Sequence, residues 1–289
     1  MDSIFDKITQ AINDFLISLI EGSLSTMFND VNQKVGTIAT EVGKTPQQWN
    51  SSVFSIIENL SNSVIVPIAG LIITFVLCYE LISMIIDKNN MHDVDTFMFF
   101  KYFFKACVAV LIVSNTFNLI MAVFDVGQHI VSNSAGVIAG NTNINISSAL
   151  TSLRPTLEAM GTGELFLLML ETALVSLCMK ILSVCITVVI FGRMIEIYLY
   201  SSVGAIPFAT MANREWGQVG SNYLRGLVAL AFQGFLIMGC EGIYAALVNS
   251  FTATSDIHST IFSIAAYTVV LCFTLFKTGS ISKSIFNAH

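Results

Sequence analysis

Five apolar runs, each about as long as a bilayer is thick, lie between Asn62 and Phe276 and are separated by polar gaps. The first extends from about Val64 to Ile86, with Pro67 in its opening turn, where a missing amide donor costs little. The second covers about Phe103 to Phe124 and the third Leu165 to Gly192. The last two are Leu227 to Val248 and Ile257 to Phe276. As one helix the third run measures about 42 Å, against ~30 Å of hydrocarbon, so tilt or protrusion is expected. The chain has four prolines and no stretches of alternating polarity, which speaks against an outer-membrane barrel. Bilayer hydrocarbon offers nothing to satisfy a bare backbone, so helices remain. The predicted fold is all-α: a polytopic helical membrane protein with five transmembrane helices, six being the alternative, and an N-terminal amphipathic helix.

The rest of the chain divides around these runs. From Ser3 to Asp30 the residues Ile4, Phe5, Ile8, Ile12, Phe15, Leu16, Leu19, Leu24 and Phe28 follow the rhythm of one helical face, with Asp6, Asn13, Asp14 and Glu21 opposite. A surface anchor meets anionic headgroups with Lys and Arg. Here Lys7 stands alone against Asp2, Asp6, Asp14, Glu21 and Asp30, so docking on protein is the better reading. Val31 to Lys44 is polar and expected to be loosely held. Thr45-Pro46-Gln47-Gln48 is a helix start, with Thr as N-cap, Pro first and Gln third. It leads to a short amphipathic segment in which Trp49 suits a membrane interface. The span from Gly127 to Gly163, rich in Asn, Ser and Gly, reads as a large solvated loop. Ile195 to Met211 is apolar but broken by Ser201, Ser202, Gly204 and Pro207, so it is either a short crossing or a pair of half-helices. The expected organisation is an extracytoplasmic N-terminal region (1–62), two transmembrane helices (63–125), a large extracytoplasmic loop (126–163) and a C-terminal bundle (164–289) with a broken helix at 195–212.

Composition agrees with lipid as the solvent. Of the 289 residues 54% are hydrophobic and only 11% charged, against roughly 25% in a soluble domain. Mean hydropathy is +0.75. The net charge of −6, with no basic tail, excludes a strong nucleic-acid footprint. All six cysteines fall in apolar runs without CxxC spacing and are expected to be buried small hydrophobes. With five crossings, Lys88, Lys101, Lys105, Arg193, Arg214, Arg225, Lys277 and Lys283 fall on one side. Only Lys7, Lys34, Lys44 and Arg154 fall on the other. The positive-inside rule then sets the N-terminus outside and the C-terminus in the cytoplasm of a multi-pass cell-membrane protein. The acidic start lacks the basic region of a secretory signal, so the first span is expected to direct insertion.

Ionisable groups inside the runs are the sharpest residue-level signal: Glu80, Glu171, Lys180, Glu196 and Glu241. Each costs a few kcal/mol at mid-bilayer unless paired or hydrated. Glu171 and Lys180 are deepest, and nine residues of separation put them on opposite helix faces, so each needs another partner. His92, Asp93 and Asp95 open a helix, and capping accounts for them better than a metal. No GxxxxGK[ST], GxSxG or HExxH pattern is present, so no catalytic residue, cofactor site or metal site is assigned and the chain reads as non-enzymatic.

The stretch from Gly204 differs from the rest. It reads Gly-Ala-Ile-Pro-Phe-Ala-Thr-Met-Ala-Asn-Arg-Glu-Trp-Gly-Gln-Val-Gly-Ser-Asn-Tyr-Leu-Arg-Gly-Leu, then enters an apolar helix containing Gln233. A proline-broken apolar segment, a polar turn with Trp and a Tyr-Leu-Arg approach to the next span resemble the TrbL-like polytopic subunits of conjugative type IV secretion systems. The resemblance implies a non-enzymatic subunit that helps form or gate the membrane passage for a DNA–protein substrate. It also implies partners among other secretion subunits, separate ATPases included, transient passage of single-stranded DNA with protein, and an oligomer in the bilayer. On that reading Gly204 and Pro207 form the hinge of the broken helix, and Arg193, Arg214, Trp216 and Arg225 the cytoplasmic contact surface. The rival reading is a secondary transporter or ion channel that uses Glu171 and Lys180.

Overall fold

The computed structural model describes residues 2–86, 96–139, 146–251 and 257–288. Its helices are α1 (Asp2–Val42), α2 (Pro46–Trp49), α3 (Ser51–Leu60), α4 (Val66–Ile86), α5 (Thr96–Ser114) and α6 (Thr116–Ala139). They continue as α7 (Ile146–Glu158), α8 (Thr162–Val203), α9 (Ala205–Thr210), α10 (Gly217–Phe251) and α11 (Ile257–Ile285). A π-helical turn, Ser61–Ile65, joins α3 to α4. No strand occurs among the described residues. Among the described residues five stretches are long and apolar enough to cross a membrane: Ser51–Ile86, Phe97–Ser114, Thr162–Val203, Gly217–Val248 and Ile257–Ile285. The protein is thus an all-α polytopic membrane protein. The segment that offers a sixth crossing, Ile195 to Met211, is divided between the end of α8 and α9, a helix of six residues with about 9 Å of rise.

Several boundaries differ from those the sequence suggests. Val31 to Val42 is not loose: it continues α1, and Ile38 and Val42, one turn apart, are each 1% exposed. The second run is two helices, because α5 ends at Ser114 and α6 begins at Thr116. There Asn115 Nδ2 donates to the Leu111 carbonyl at 2.9 Å and Thr116 Oγ1 to the Ile112 carbonyl at 2.9 Å. Such side-chain bonds to nearby backbone compete with the helical ladder. The stretch read as one large loop holds most of α6 and all of α7, with Pro155 inside α7. The third run does not stop at Gly192: α8 has 42 residues, about 63 Å of helix. Three of the cysteines expected to be buried, Cys78, Cys107 and Cys178, are exposed, as small apolar groups on outward faces of spans. His92, Asp93, Asp95, Lys88 and the asparagines at 141, 143 and 145 lie outside the described residues.

The chain forms two compact units. One comprises Met1–Val42, Ser132–Ile190 and Ile237–Lys277. In it α1 buries Leu16, Ile20, Leu24 and Met27, while α7 contributes Leu153 and Leu157. Thr162 Oγ1 donates to Asn13 Oδ1 at 2.7 Å, and Arg154 reaches Glu21 at 3.8 Å and Glu158 at 3.1 Å. Further along, Asp30, Gln33, Thr37 and Ile38 share a cavity of about 250 Å³ with Ser183, Ile186, Thr187 and Ile190. So α1 and α8 run side by side in the same direction, which sets part of the N-terminal region beside the third apolar run. The acidic helix does dock on protein of its own chain, yet Ile4, Phe5, Ile8, Ile12, Phe15 and Leu19 stay exposed. On α10, Gly242 lets Ile138 of α6 approach to 3.2 Å of where a Cβ would stand, and Tyr244 shares a 2.8 Å hydrogen bond with Thr268 of α11.

The other unit comprises Gly43–Val131, Phe191–Leu236 and Thr278–His289. One core cluster joins Ile120, Phe124, Met194, Ile197, Tyr198 and Leu230. The expected helix start is present: Thr45 accepts from the Gln48 amide and Gln48 reaches back to the Thr45 amide, a full capping box. Trp49 is not free for a membrane interface but packs edge-on against Phe191 at 5.4 Å and beside Tyr198 at 5.9 Å. The Tyr198 hydroxyl donates to the Pro46 carbonyl at 2.6 Å, fastening α2 to α8. A second cluster, Ala69, Ile73, Val113, Ala205 and Ala209, packs α4, α5 and α9 together. Large apolar side chains point away from it, among them Leu71 (75% exposed), Phe97 (68%) and Phe103 (66%). A helix that is apolar on its outward side as well as its inward side is built for lipid.

Candidate functional site: the turn between α9 and α10

Residues 211–216 connect α9 to α10, and Asn213 organises them. Its Oδ1 accepts from the Glu215 amide at 2.7 Å and from the Trp216 amide at 3.1 Å, which fixes the turn. Its Nδ2 donates to Glu80 of α4 at 3.0 Å, and Glu80 also accepts from Lys105 of α5 at 2.7 Å. Helices α4 and α5 and the turn between α9 and α10 therefore meet at one carboxylate. Burial of Asn213 at 3% exposure makes every one of these bonds costly to lose. Trp216 lies flat against Phe75 at 5.7 Å and Tyr79 at 5.3 Å, and the Tyr79 hydroxyl donates to Glu215 at 3.2 Å. Held this way, the turn exposes Arg214, and Trp216 keeps 36% of its surface open. A polar cavity of about 500 Å³ adjoins it, lined by Tyr79, Glu80, Ser83, Met84, Asn213, Arg214 and Glu215.

The four basic or aromatic residues singled out in the sequence are not equivalent. Arg214, Trp216 and Arg225 are exposed. Arg193 is 7% exposed and donates to the Leu230 carbonyl at 3.4 Å, so it braces α8 against α10 rather than facing outward. The hinge pair is also differently employed. Gly204 has helical dihedrals, φ −58° and ψ −31°. What requires glycine there is space: a Cβ would overlap Ile120 and stand 2.8 Å from the Tyr223 hydroxyl. Pro207 sits in the first turn of α9, where it costs no helical bond, and its carbonyl accepts from Thr210 Oγ1 at 2.7 Å. Gly220, which the sequence reading passed over, is the tighter position, since a Cβ would overlap Met211 and lie 2.5 Å from the Pro207 carbonyl oxygen.

The charges within the spans separate into three kinds. Glu80 and Glu196 are paired, the latter with Lys283 at 3.0 Å. In the other unit Glu171 Oε2 lies 2.6 Å from His258 Nδ1, while Glu171 Oε1 is buried without a partner among the described residues. His258 was missed in the sequence, although it stands in the first turn of an apolar run and begins on the same side as α8 when five crossings alternate. Lys180 is exposed and has no acidic partner among the described residues, so it and Glu171 do not converge. Glu241 is 1% exposed, and neither of its oxygens has a hydrogen-bond partner among the described residues. No group of three His, Cys, Asp or Glu that could hold a metal occurs among the described residues.

Lipid-facing helices joined through a braced, charged turn define an integral membrane protein. Residues 31–205 match the family described as TrbL/VirB6 plasmid conjugal transfer like protein. That segment is more than half of the chain, and the protein belongs to this family. The match ends at Ala205, so all but its last two residues precede the Gly204–Leu227 motif that resembles the same family. No curated protein sequence matches, and no solved structure does. Membership makes the chain a multi-pass membrane subunit of conjugal transfer or type IV secretion machinery.

Proposed function

We propose that this subunit has no catalytic role and helps form or gate the inner-membrane passage for a DNA–protein substrate. It would act as an oligomer alongside other secretion subunits and separate ATPases that supply the energy. The observation that carries this reading is the Asn213-centred turn, which holds Arg214 and the edge of Trp216 outward while tying α4, α5, α9 and α10 together. With Arg225 these residues form a contact surface for a partner. The exposed apolar edge of α1, together with α7, is the counterpart on the extracytoplasmic side. Four acids and one base within the spans suit contacts between helices better than contact with a polyanion.

Replacing Arg214 by Glu reverses the charge of an exposed side chain that makes no hydrogen bond or ion pair among the described residues. Transfer of a conjugative plasmid by cells carrying Arg214→Glu should fall at least about tenfold, as for loss of an interface hot spot, with the protein at its normal level in the membrane. Unchanged transfer at normal protein level would sink the assignment of this surface. The proposed orientation, N-terminus outside and C-terminus in the cytoplasm, follows from the Lys and Arg bias and has its own check. A cysteine at exposed Glu215 should react with a membrane-impermeant maleimide only in inverted vesicles; labelling of intact cells reverses the orientation. The transporter reading would rest on Glu171 and Lys180 separately, since Glu171 lies 2.6 Å from His258 and Lys180 is on another face.

A further inference from the structure

Between α5 and α9 runs a groove of about 470 Å³. Its walls are apolar, with Val108, Ala109 and Ile112 on one side and Phe208 and Met211 on the other. Its mouth is cationic: Lys101 and Lys105, one helical turn apart on α5, both line it. The two lysines are not alike. Lys105 is neutralised by Glu80 at 2.7 Å, whereas Lys101 is exposed and has no acidic partner among the described residues. Among the described residues the groove therefore offers one positive charge without an acidic partner at one end and hydrocarbon along its length.

Its dimensions select the occupant. From Lys101 to Ile112 the helix rises about 16 Å, close to half of the ~30 Å hydrocarbon thickness and so the depth of a single leaflet. A helix of ~10 Å diameter and that length would fill roughly 1,300 Å³, nearly three times the volume present. An acyl chain is slim enough, and a phospholipid carries its charge only at the headgroup end. α5 lies in a candidate span, so lipid is the molecule already at this face. We propose that the groove between α5 and α9 is a binding site for an anionic phospholipid, with an acyl chain against Val108, Ala109 and Phe208 and the phosphate on Lys101. Because α9 leads directly into the Asn213 turn, the lipid would sit against the elements that present Arg214.

The test uses the full-length protein in detergent containing equal amounts of phosphatidylglycerol and phosphatidylcholine, with retained lipid read by native mass spectrometry. One unshielded lysine at a membrane surface corresponds to about a fivefold preference for the anionic lipid. The unmodified protein should show that preference and Lys101→Gln should lose it. Lys101→Arg should keep it, as should the control Lys7→Gln, which removes a charge elsewhere. Ala109→Phe, which fills the groove, should lower retention of both lipids. Equal retention of the two lipids by the unmodified protein, or a preference that survives Lys101→Gln, overturns the proposal. So does a photoreactive residue at Val108 that crosslinks a second protein chain in the membrane instead of lipid.

Discussion

Alanine at Gly220 is expected to destabilise the protein by about 3 kcal/mol or more, at the upper end of what overpacking costs. The added methyl would overlap Met211 and stand 2.5 Å from the Pro207 carbonyl oxygen. A side chain can rotate away, but the carbonyl belongs to α9 and cannot move without displacing that helix from Ala69 and Val113. Gly204→Ala meets only the ends of side chains, Ile120, Thr116 and Tyr223, and should cost less. Gly192→Ala sits within α8 with nothing inside 4 Å, so it should instead stabilise by about 0.5–1 kcal/mol through helix propensity. Thermal unfolding of the three variants in one detergent checks the order. If Gly220→Ala melts no lower than Gly192→Ala, the close approach of α9 to the start of α10 is wrong.

That comparison also shows what the sequence could and could not disclose. The five spans were legible because lipid demands long apolar runs, and no other signal in the chain is as strong. Gly204 and Pro207 were visible as punctuation, but punctuation does not say what approaches. Gly220 looks like any glycine in a polar turn until Met211 folds back over it. The break at Asn115 was hidden because Leu111, Ile112, Val113, Phe117 and Leu119 keep the run apolar on both sides of it. Conversely, the helicity of 127–139 was masked by Gly127, Asn133 and Gly136, although Gly127 is where α6 passes so close to α10 that a Cβ would stand 3.0 Å from Ala231. Tertiary packing there overrides a weak local preference. Pairing across the chain was the least legible of all. Glu171 and His258 stand 87 residues apart, and only the topology of the spans brings the beginnings of α8 and α11 together.

The second large effect is expected at Asn213, where a double substitution separates two roles of one side chain. Asn213→Ala removes three hydrogen bonds at a buried position, so a loss of about 2–4 kcal/mol is expected. Asn213→Asp retains an oxygen able to accept from the Glu215 and Trp216 amides, and so preserves the turn. It replaces the donor to Glu80, however, with a carboxylate 3.0 Å from another, and like charges at that distance repel. If the link to α4 matters as much as the turn, Asn213→Asp should be about as damaging as Asn213→Ala. Adding Glu80→Gln to Asn213→Asp supplies an amide donor to the new carboxylate and should restore most of the loss. The same Glu80→Gln change alone weakens the Lys105 pair and should be mildly destabilising. A coupling energy of at least about 1 kcal/mol between the two sites is the expected result. Plasmid transfer should follow the same pattern as stability, because the turn presents Arg214 only while α4 and α5 anchor it. Additive effects of the two substitutions would mean that Glu80 and Asn213 act separately, and that the turn holds its shape without the neighbouring spans.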